Sequence, residues 1–137
     1  SCDTNEVHFA WLNTPKNNGG IEGVTYPLLA DTTRNLSAAL GILDAEAGAY
    51  NEDADTYLVE GSNVTYRATY LIDETGKIFH ESVNDMPLGR NVNEYLRLVD
   101  AYTHIQTKGE VCPANWEAGK EAMTADRNST AAYLSAN

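Results

Sequence analysis

Residues 65–83 read TYRATYLIDETGKIFHESV, and this stretch says more about the fold than any other part of the chain. Two runs rich in β-branched and aromatic residues, 65–72 and 77–83, flank the polar turn sequence DETG at 73–76. Such runs are typical of strands, and a short polar turn that closes on glycine joins antiparallel neighbours. The stretch therefore predicts a β-hairpin.

A helix is predicted directly after the hairpin. Asn91 can cap its first turn, with Glu94 placed to complete the cap. Apolar residues then recur at helical spacing; they are Val92, Tyr95, Leu96, Val99 and Tyr102. This apolar face is expected to cover the sheet.

The first half of the chain also alternates between helical and extended patterns. Asp3 is expected to cap a helix over residues 5–12, and residues 24–30 form a short apolar run that predicts a strand. Asp31 can cap a brief helix that Gly41 stops. Strands that alternate with helices predict an α/β fold, with helices packed on a mixed sheet.

Residues 44–63 interrupt this alternation. The segment is rich in acidic residues, contains two glycines and has little apolar periodicity. It is therefore predicted to be an exposed acidic loop insertion. Residues 56–59 could pair as a short strand, but the pattern is too brief to decide between the two structures.

Size and charge exclude several classes of function. The 137 residues fit one domain, and 9 basic against 20 acidic residues give a formal charge of −11. Such a charge repels phosphate backbones and anionic membranes, so we expect neither nucleic acid nor a membrane as a partner. No pattern resembles a secretory signal or a membrane span, and because the first residue is Ser1 we expect the protein to start further upstream.

Cysteine offers the most reactive side chain in the sequence. Cys2 and Cys112 are too far apart to form a closely spaced pair of the kind that binds zinc or runs CxxC chemistry. Cys112 lies in a segment where Gly109 permits movement and Pro113 removes a backbone donor, which favours a loop that can leave its packed position. An isolated cysteine can equally pack as a small apolar residue. The residues alone leave both roles open.

The segment GEVCPANW at 109–116 resembles the resolving-cysteine motif of typical 2-Cys peroxiredoxins. Other matches follow in the same order along the chain: VHFAW at 7–11, NTP at 13–15, GGI at 19–21, YR at 66–67, LID at 71–73 and VNDMPLGR at 83–90. Together they cover nearly the whole chain apart from the acidic insertion and the last residues. The bacterial branch, the alkyl hydroperoxide reductases, is the most similar.

The resemblance implies a thioredoxin-like fold with a mixed central sheet flanked by helices. Residues 1–108 would be the C-terminal portion of that domain, and residues 109–137 the C-terminal segment that carries the resolving cysteine. In this family the peroxide-attacking cysteine stands upstream in a Pro-x-x-x-Thr-x-x-Cys context, which is absent here. Cys2 does not match it and is expected to pack in the interior.

The resemblance also implies an activity, the reduction of hydrogen peroxide and alkyl hydroperoxides. Cys112 would form an intermolecular disulfide with an oxidised cysteine of a partner subunit, and thioredoxin or a flavoprotein disulfide reductase would reopen it. No cofactor is implied, and the scattered histidines do not suggest a metal site. The alternative is a noncatalytic thioredoxin-fold oligomeric or holdase module.

Two arginines match family positions. Arg67 matches the arginine beside the peroxide-attacking sulfur, where a fixed positive charge favours thiolate. From the residues alone, Arg67 could instead be a surface arginine that pairs with an acid of the insertion. Arg90 matches an arginine of the supporting charge network, but it could also be a surface partner of Asp85 or Glu94.

Assembly and location follow from the same resemblance. Residues 77–83 would pair edge to edge in a homodimer, and residues 5–12 lie near the contact that joins five dimers into a cytoplasmic decamer. Glu22 replaces the last glycine of a family motif linked to overoxidation, and YL at 133–134 replaces a common YF pair. These changes imply intermediate sensitivity to overoxidation.

Overall fold

The computed structural model describes residues 1–53 and 56–136. Its elements, in chain order, are α1 (Asn5–Leu12), α2 (Asn35–Ala39), β1 (Leu43–Asn51), β2 (Thr56–Thr65), β3 (Arg67–Ile72), β4 (Ile78–Asn84), α3 (Val92–Lys108) and α4 (Arg127–Ala136). A 3-10 turn, Lys16–Asn18, follows α1. The strands pair as β1 with β2 and β3 with β4. The chain divides into two compact units: one contains Ser1–Tyr70 with Glu81–Gly89, the other Leu71–His80 with Arg90–Asn137.

The hairpin predicted over residues 65–83 is present as β3 and β4. Its turn is closed by the bond from Asp73 N to Lys77 O at 2.9 Å. Gly76 has a φ of 85°, a left-handed conformation that favours glycine. The Asp73 carboxylate accepts the backbone N–H groups of Thr75 and Lys77, each at 2.9 Å, so one side chain satisfies two donors of the turn.

The prediction that Asp3 caps α1 is wrong, because Thr4 holds that position. The Thr4 hydroxyl accepts from the Val7 N–H at 3.3 Å, as an N-cap side chain does three residues before its donor. Asp3 instead accepts a hydrogen bond from the Ser1 hydroxyl at 2.8 Å. The helix itself covers residues 5–12 as predicted.

No strand forms over residues 24–30, contrary to the prediction. Near the end of this run the Leu29 carbonyl accepts from the Ser1 amino group at 3.0 Å, and Asp31 N donates to the Ser1 carbonyl at 2.8 Å. One partner residue does not make a ladder. The N-cap of α2 is Arg34 rather than the predicted Asp31, although the Asp31 carboxylate accepts from the first-turn N–H groups of Leu36 at 3.2 Å and Ser37 at 2.8 Å.

The acidic segment 44–63 is not a loop, contrary to the prediction. It forms most of an antiparallel pair, β1 with β2, in which Leu43 lies opposite Thr65. Within the described residues the register shifts twice, between Asp44 and Glu46 and between Ala47 and Tyr50. Residues 54–55, which belong to the predicted insertion, lie outside the described residues. A shifted register breaks the two-residue alternation by which a strand is found in a sequence.

Each unit has its own small core. In the first unit Ile42 is buried together with His8 and Ser37. In the second unit Ala101 of α3 and Trp116 are buried. Among the described residues, no helix is both long and apolar enough to cross a membrane.

Helix α3 begins after Asn91 as predicted, but only Asn91, and not Glu94, takes part in the cap. The Asn91 side chain accepts from Asn93 N at 3.1 Å. Glu94 does not complete the cap, because its carboxylate is held by Arg97. Tyr102 stacks on Phe79 of β4 with ring centroids 3.9 Å apart, but Val92, Leu96 and Val99 are exposed, so the predicted apolar face covers the sheet only in part. At the start of α4 the Asp126 carboxylate accepts from the backbone N–H groups of Asn128 and Ser129, each at 2.9 Å.

Candidate functional site

The candidate site is the segment that follows α3 and carries Cys112. Gly109 ends the helix with a φ of 69°, and its N–H bonds to the Ile105 carbonyl at 2.9 Å. Two residues later Val111 and Met123 exchange backbone hydrogen bonds of 2.7 and 3.1 Å. The segment is therefore anchored through its backbone next to Cys112.

Cys112 is a free, half-buried thiol. Its Sγ lies 3.8 Å from the Ala101 carbonyl oxygen of α3, within reach of a weak S–H donor. Burial raises the pKa of the Cys112 thiol, Arg97 opposes that effect, and Glu110 adds to it. Because thiolate is the nucleophile in exchange reactions, the burial of Cys112 disfavours its reactive form.

Arg97 connects the helix to the far end of the segment. Its Nε and Nη2 each donate to the Glu94 carboxylate at 2.7 Å, and its Nη1 donates to the Trp116 carbonyl oxygen at 2.9 Å. The bond to Glu94 raises the pKa of Arg97, and the same bond lowers the pKa of Glu94. Sequence reasoning missed Arg97, although an acid three residues before an arginine on a helix is a recognised pairing signal.

His104 connects the helix to the near end of the segment. Its Nε2 lies 2.8 Å from a carboxylate oxygen of Glu110. Its ring also lies against Trp116, with centroids 4.9 Å apart. The Trp116 side chain is 4% exposed, and its indole N–H donates to the Lys120 carbonyl at 3.1 Å.

The other predicted site residues lie in different parts of the chain. Arg67 opens β3 in the first unit, where it is exposed and its Nε donates to the Met86 carbonyl. Arg90 lies in the second unit, next to the Asn91 cap, and is exposed. Of the two acids proposed as its surface partners, Glu94 is bonded to Arg97. The functional roles of Arg67, Arg90 and Cys112 stay predictions.

Cys2 and His8 lie elsewhere, in the first unit. Cys2 is a free, half-buried thiol with its Sγ 3.9 Å from the Ser37 hydroxyl. His8 is buried and contacts the Ser1 hydroxyl at 2.7 Å. Across residues 1–53 and 56–136, no three His, Cys, Asp or Glu side chains are grouped closely enough to hold a metal ion.

Two parts of the chain match models of known protein families. Residues 1–81, more than half of the sequence, match the model described as the AhpC/TSA family. The chain belongs to the AhpC/TSA family. Residues 101–136, which include the Cys112 segment and α4, match the model described as the C-terminal domain of 1-Cys peroxiredoxin.

Individual relatives agree with this membership. Alkyl hydroperoxide reductase C of Helicobacter pylori (strain ATCC 700392 / 26695) is 42% identical over all 137 residues, which match 61% of its length. A thioredoxin peroxidase of Trypanosoma brucei rhodesiense is 38% identical over 98% of this chain and 60% of its own. The chain thus spans about three fifths of the length of these two relatives.

The fold is shown by solved structures. The crystal structure of reduced 2-Cys peroxiredoxin from Plasmodium vivax matches with a TM-score of 0.79 and 36% identity, covering 98% of this chain and 61% of that one. The predicted α/β, thioredoxin-like peroxiredoxin fold is therefore confirmed, but the described strands form two two-stranded sheets rather than the predicted mixed central sheet.

Proposed function

We propose that this chain is the portion of a typical 2-Cys peroxiredoxin that supplies the resolving cysteine, Cys112, for the reduction of hydrogen peroxide and alkyl hydroperoxides. The observation that carries the proposal is the free Cys112 thiol, docked on α3 in a segment that starts at the left-handed Gly109. Family membership and the names of the relatives agree with this chemistry. The docked thiol can react once the segment leaves the helix.

The chemistry takes three balanced steps. A peroxide-attacking thiolate, on a cysteine outside this chain, takes the terminal oxygen of the hydroperoxide, whose remainder leaves as an alcohol or water, and becomes a sulfenic acid. The Cys112 sulfur then attacks that sulfenic sulfur; a disulfide forms and water leaves. A dithiol reductant finally opens the disulfide by exchange and is itself oxidised to a disulfide.

The reductant, location and assembly are part of the same proposal. The name of the trypanosome relative supports a thioredoxin-type reductant, with a flavoprotein disulfide reductase as the alternative. The disulfide partner is a second copy of the protein, in a homodimer that assembles into a decamer in the cytoplasm. Dimer pairing would use β4, whose backbone groups could continue a sheet into the partner.

Arg67 and Arg90 are proposed to serve the first step. A guanidinium beside the peroxide-attacking sulfur favours thiolate and donates hydrogen bonds to the peroxide. The bond from Arg67 Nε to the Met86 carbonyl supports this role, because it restrains one edge of the planar guanidinium group. Arg90 would contribute positive charge to the same network.

The test is peroxide treatment of the full-length protein followed by non-reducing electrophoresis. We expect a covalent dimer that is absent in Cys112→Ser, because that variant lacks the attacking sulfur. The matched control, Cys2→Ser, should still form the dimer, since Cys2 packs on Ser37 in the first unit. A dimer that persists in Cys112→Ser would contradict the proposal. If wild-type protein forms no dimer, the noncatalytic module becomes the better assignment.

A further inference from the structure

The Cys112 segment, residues 110–116, contacts a single face of α3, in addition to its backbone pair with Met123. Arg97, Ala101 and His104 follow one another at intervals of four and three residues, so they lie on one side of the helix. Each contacts a different point of the segment: Arg97 bonds the Trp116 carbonyl, Ala101 accepts from the Cys112 thiol, and His104 bonds Glu110. The thiol is therefore bracketed by two stronger contacts.

The two outer contacts differ in strength from the central one. The bonds at 2.9 Å to Trp116 and at 2.8 Å to Glu110 have the distances of good hydrogen bonds, and each involves a side chain that is or can be charged. The thiol contact at 3.8 Å is weak by comparison. What keeps Cys112 in place is thus the anchoring of the residues around it rather than its own bond.

The docked geometry is unsuited to attack on another sulfur. Cys112 is half-buried, its S–H points at the Ala101 carbonyl, and thiol exchange needs an accessible thiolate. Its reaction with a partner requires the segment to leave α3. Any contact that holds the docked segment therefore lowers the population of the reactive form.

We propose that Arg97 and His104 are positioning residues that latch residues 110–116 to α3 and so set the rate at which Cys112 becomes available. All residues of this latch lie in the second unit. The effect of the latch on peroxide reduction rests on the proposed function. Loss of one hydrogen bond of this kind is expected to raise the released population about three- to tenfold.

The experiment measures how fast iodoacetamide alkylates Cys112 in the reduced 137-residue chain, with Cys2 as the internal reference. Mass spectrometry of the two cysteine peptides gives both rates in one sample. His104→Phe keeps an aromatic ring beside Trp116 but cannot bond Glu110, so we expect the ratio of the Cys112 rate to the Cys2 rate to rise about three- to tenfold.

Two further variants separate a latch from a general loss of stability. His104→Gln retains an N–H donor for Glu110 and should keep the ratio within about twofold of wild type. Thr103→Val is the matched control, because the Thr103 hydroxyl bonds the Val99 carbonyl of α3 itself rather than the Cys112 segment. An unchanged ratio in His104→Phe, or an equal rise in all three variants, would overturn the proposal for His104.

Arg97→Met removes both the charge and the N–H donors of Arg97, and the loss of charge and the loss of the latch bond predict opposite changes in the alkylation rate. Arg97 lowers the pKa of the Cys112 thiol, so removing its charge alone would leave less thiolate and slow alkylation. Removing its bond to the Trp116 carbonyl would instead release the segment and accelerate alkylation. We expect acceleration; a slower or unchanged ratio would assign Arg97 a purely electrostatic effect and remove it from the latch.

The two proposals fail in distinguishable ways. Alkylation is measured without peroxide and without a partner cysteine, so it reports the latch even if the chain has no part in peroxide reduction. If both proposals hold, full-length His104→Phe should form the Cys112 disulfide faster than wild type after a peroxide pulse. Faster alkylation without a disulfide would retain the latch and reject the peroxidase.

Discussion

Asp73 shows how much structure one carboxylate can organise. It accepts the Thr75 hydroxyl at 2.6 Å and the N–H groups of Thr75 and Lys77 at the hairpin turn. Its second oxygen accepts the Tyr102 hydroxyl of α3 at 2.9 Å. These bonds, led by the one from the Thr75 hydroxyl, lower the pKa of Asp73 from 3.8 to about 2. The charged form of the Asp73 carboxyl thus joins the hairpin turn to α3.

This shift predicts a specific loss of stability in acid. The unfolded chain takes up the proton near pH 3.8 and the folded chain near pH 2, so the contribution of Asp73 is complete above about pH 4 and is lost as the pH falls through 2. The Asp73 carboxyl resonance should titrate with a midpoint near 2 by NMR. Asp73→Asn should lower the thermal midpoint at pH 7, and the difference should vanish below about pH 2.

The control for Asp73 is Asp100→Asn, which makes the same change in charge at an exposed position of α3. It should leave the thermal midpoint nearly unchanged, as substitutions at exposed surface positions usually do. A measured Asp73 midpoint near 3.8 would contradict the bonding described for the turn.

The residues of the candidate site divide by how they can be recognised. Cys112 and Arg67 stand within short motifs that resemble those of a known family, and this resemblance identified them as candidates. Arg97 and His104 were missed because their partners, the Trp116 carbonyl and Glu110, become neighbours only after Gly109 reverses the chain. A contact with a backbone carbonyl cannot be predicted from residue types, because every residue has such a carbonyl.

Among the elements, the loop after α1 is packed tightly against its own backbone. Gly20 N bonds the Pro15 carbonyl at 3.1 Å, and the Trp11 indole N–H donates to the Gly19 carbonyl at 3.0 Å. A Cβ at Gly20 would overlap the backbone carbonyl of Thr14. The second glycine of this loop is therefore required by close approach of the chain to itself.

Gly20→Ala should destabilise the first unit by about 1–3 kcal/mol, because backbone atoms must move to admit the methyl group. Gly89→Ala is the matched control: an added Cβ there meets nothing within 4 Å, and its φ is not positive. Urea unfolding of both variants measures the difference. Equal urea midpoints in the two variants would show that the loop accepts the methyl group without a loss of stability, and would contradict the prediction.

Elements with local signals were predictable, and elements that depend on distant partners were not. β3, β4 and α3 carry a glycine turn, a cap and a regular apolar period. β1 and β2 resemble a loop in sequence because acidic residues and two register shifts hide the strand alternation. Residues 24–30 carry an apolar run that predicts a strand, but a strand also needs a ladder of partners, and a run of residues does not show whether one exists.

At the scale of the whole molecule, charge opposes the proposed assembly. Each copy of this segment carries a formal charge of −11, so copies brought together in a ring repel one another. Apolar side chains on α1 are available to offset that repulsion, since Phe9 is 71% exposed and Trp11 45% exposed. The balance between these two effects should depend on salt, because ions screen charge but leave apolar contact intact.

Sedimentation velocity of the reduced full-length protein should therefore shift toward larger species as salt is added. The screening length falls from about 30 Å at about 0.01 M to about 8 Å at about 0.15 M, which removes most repulsion between exposed charges on neighbouring copies. Phe9→Glu should abolish the shift by placing another negative charge on α1. Leu134→Glu, an equally exposed apolar position on α4, adds the same charge and should retain the shift if α1 forms the contact. Sedimentation that is independent of salt in wild type, or the loss of the shift in both variants, would rule out α1 as the assembly surface.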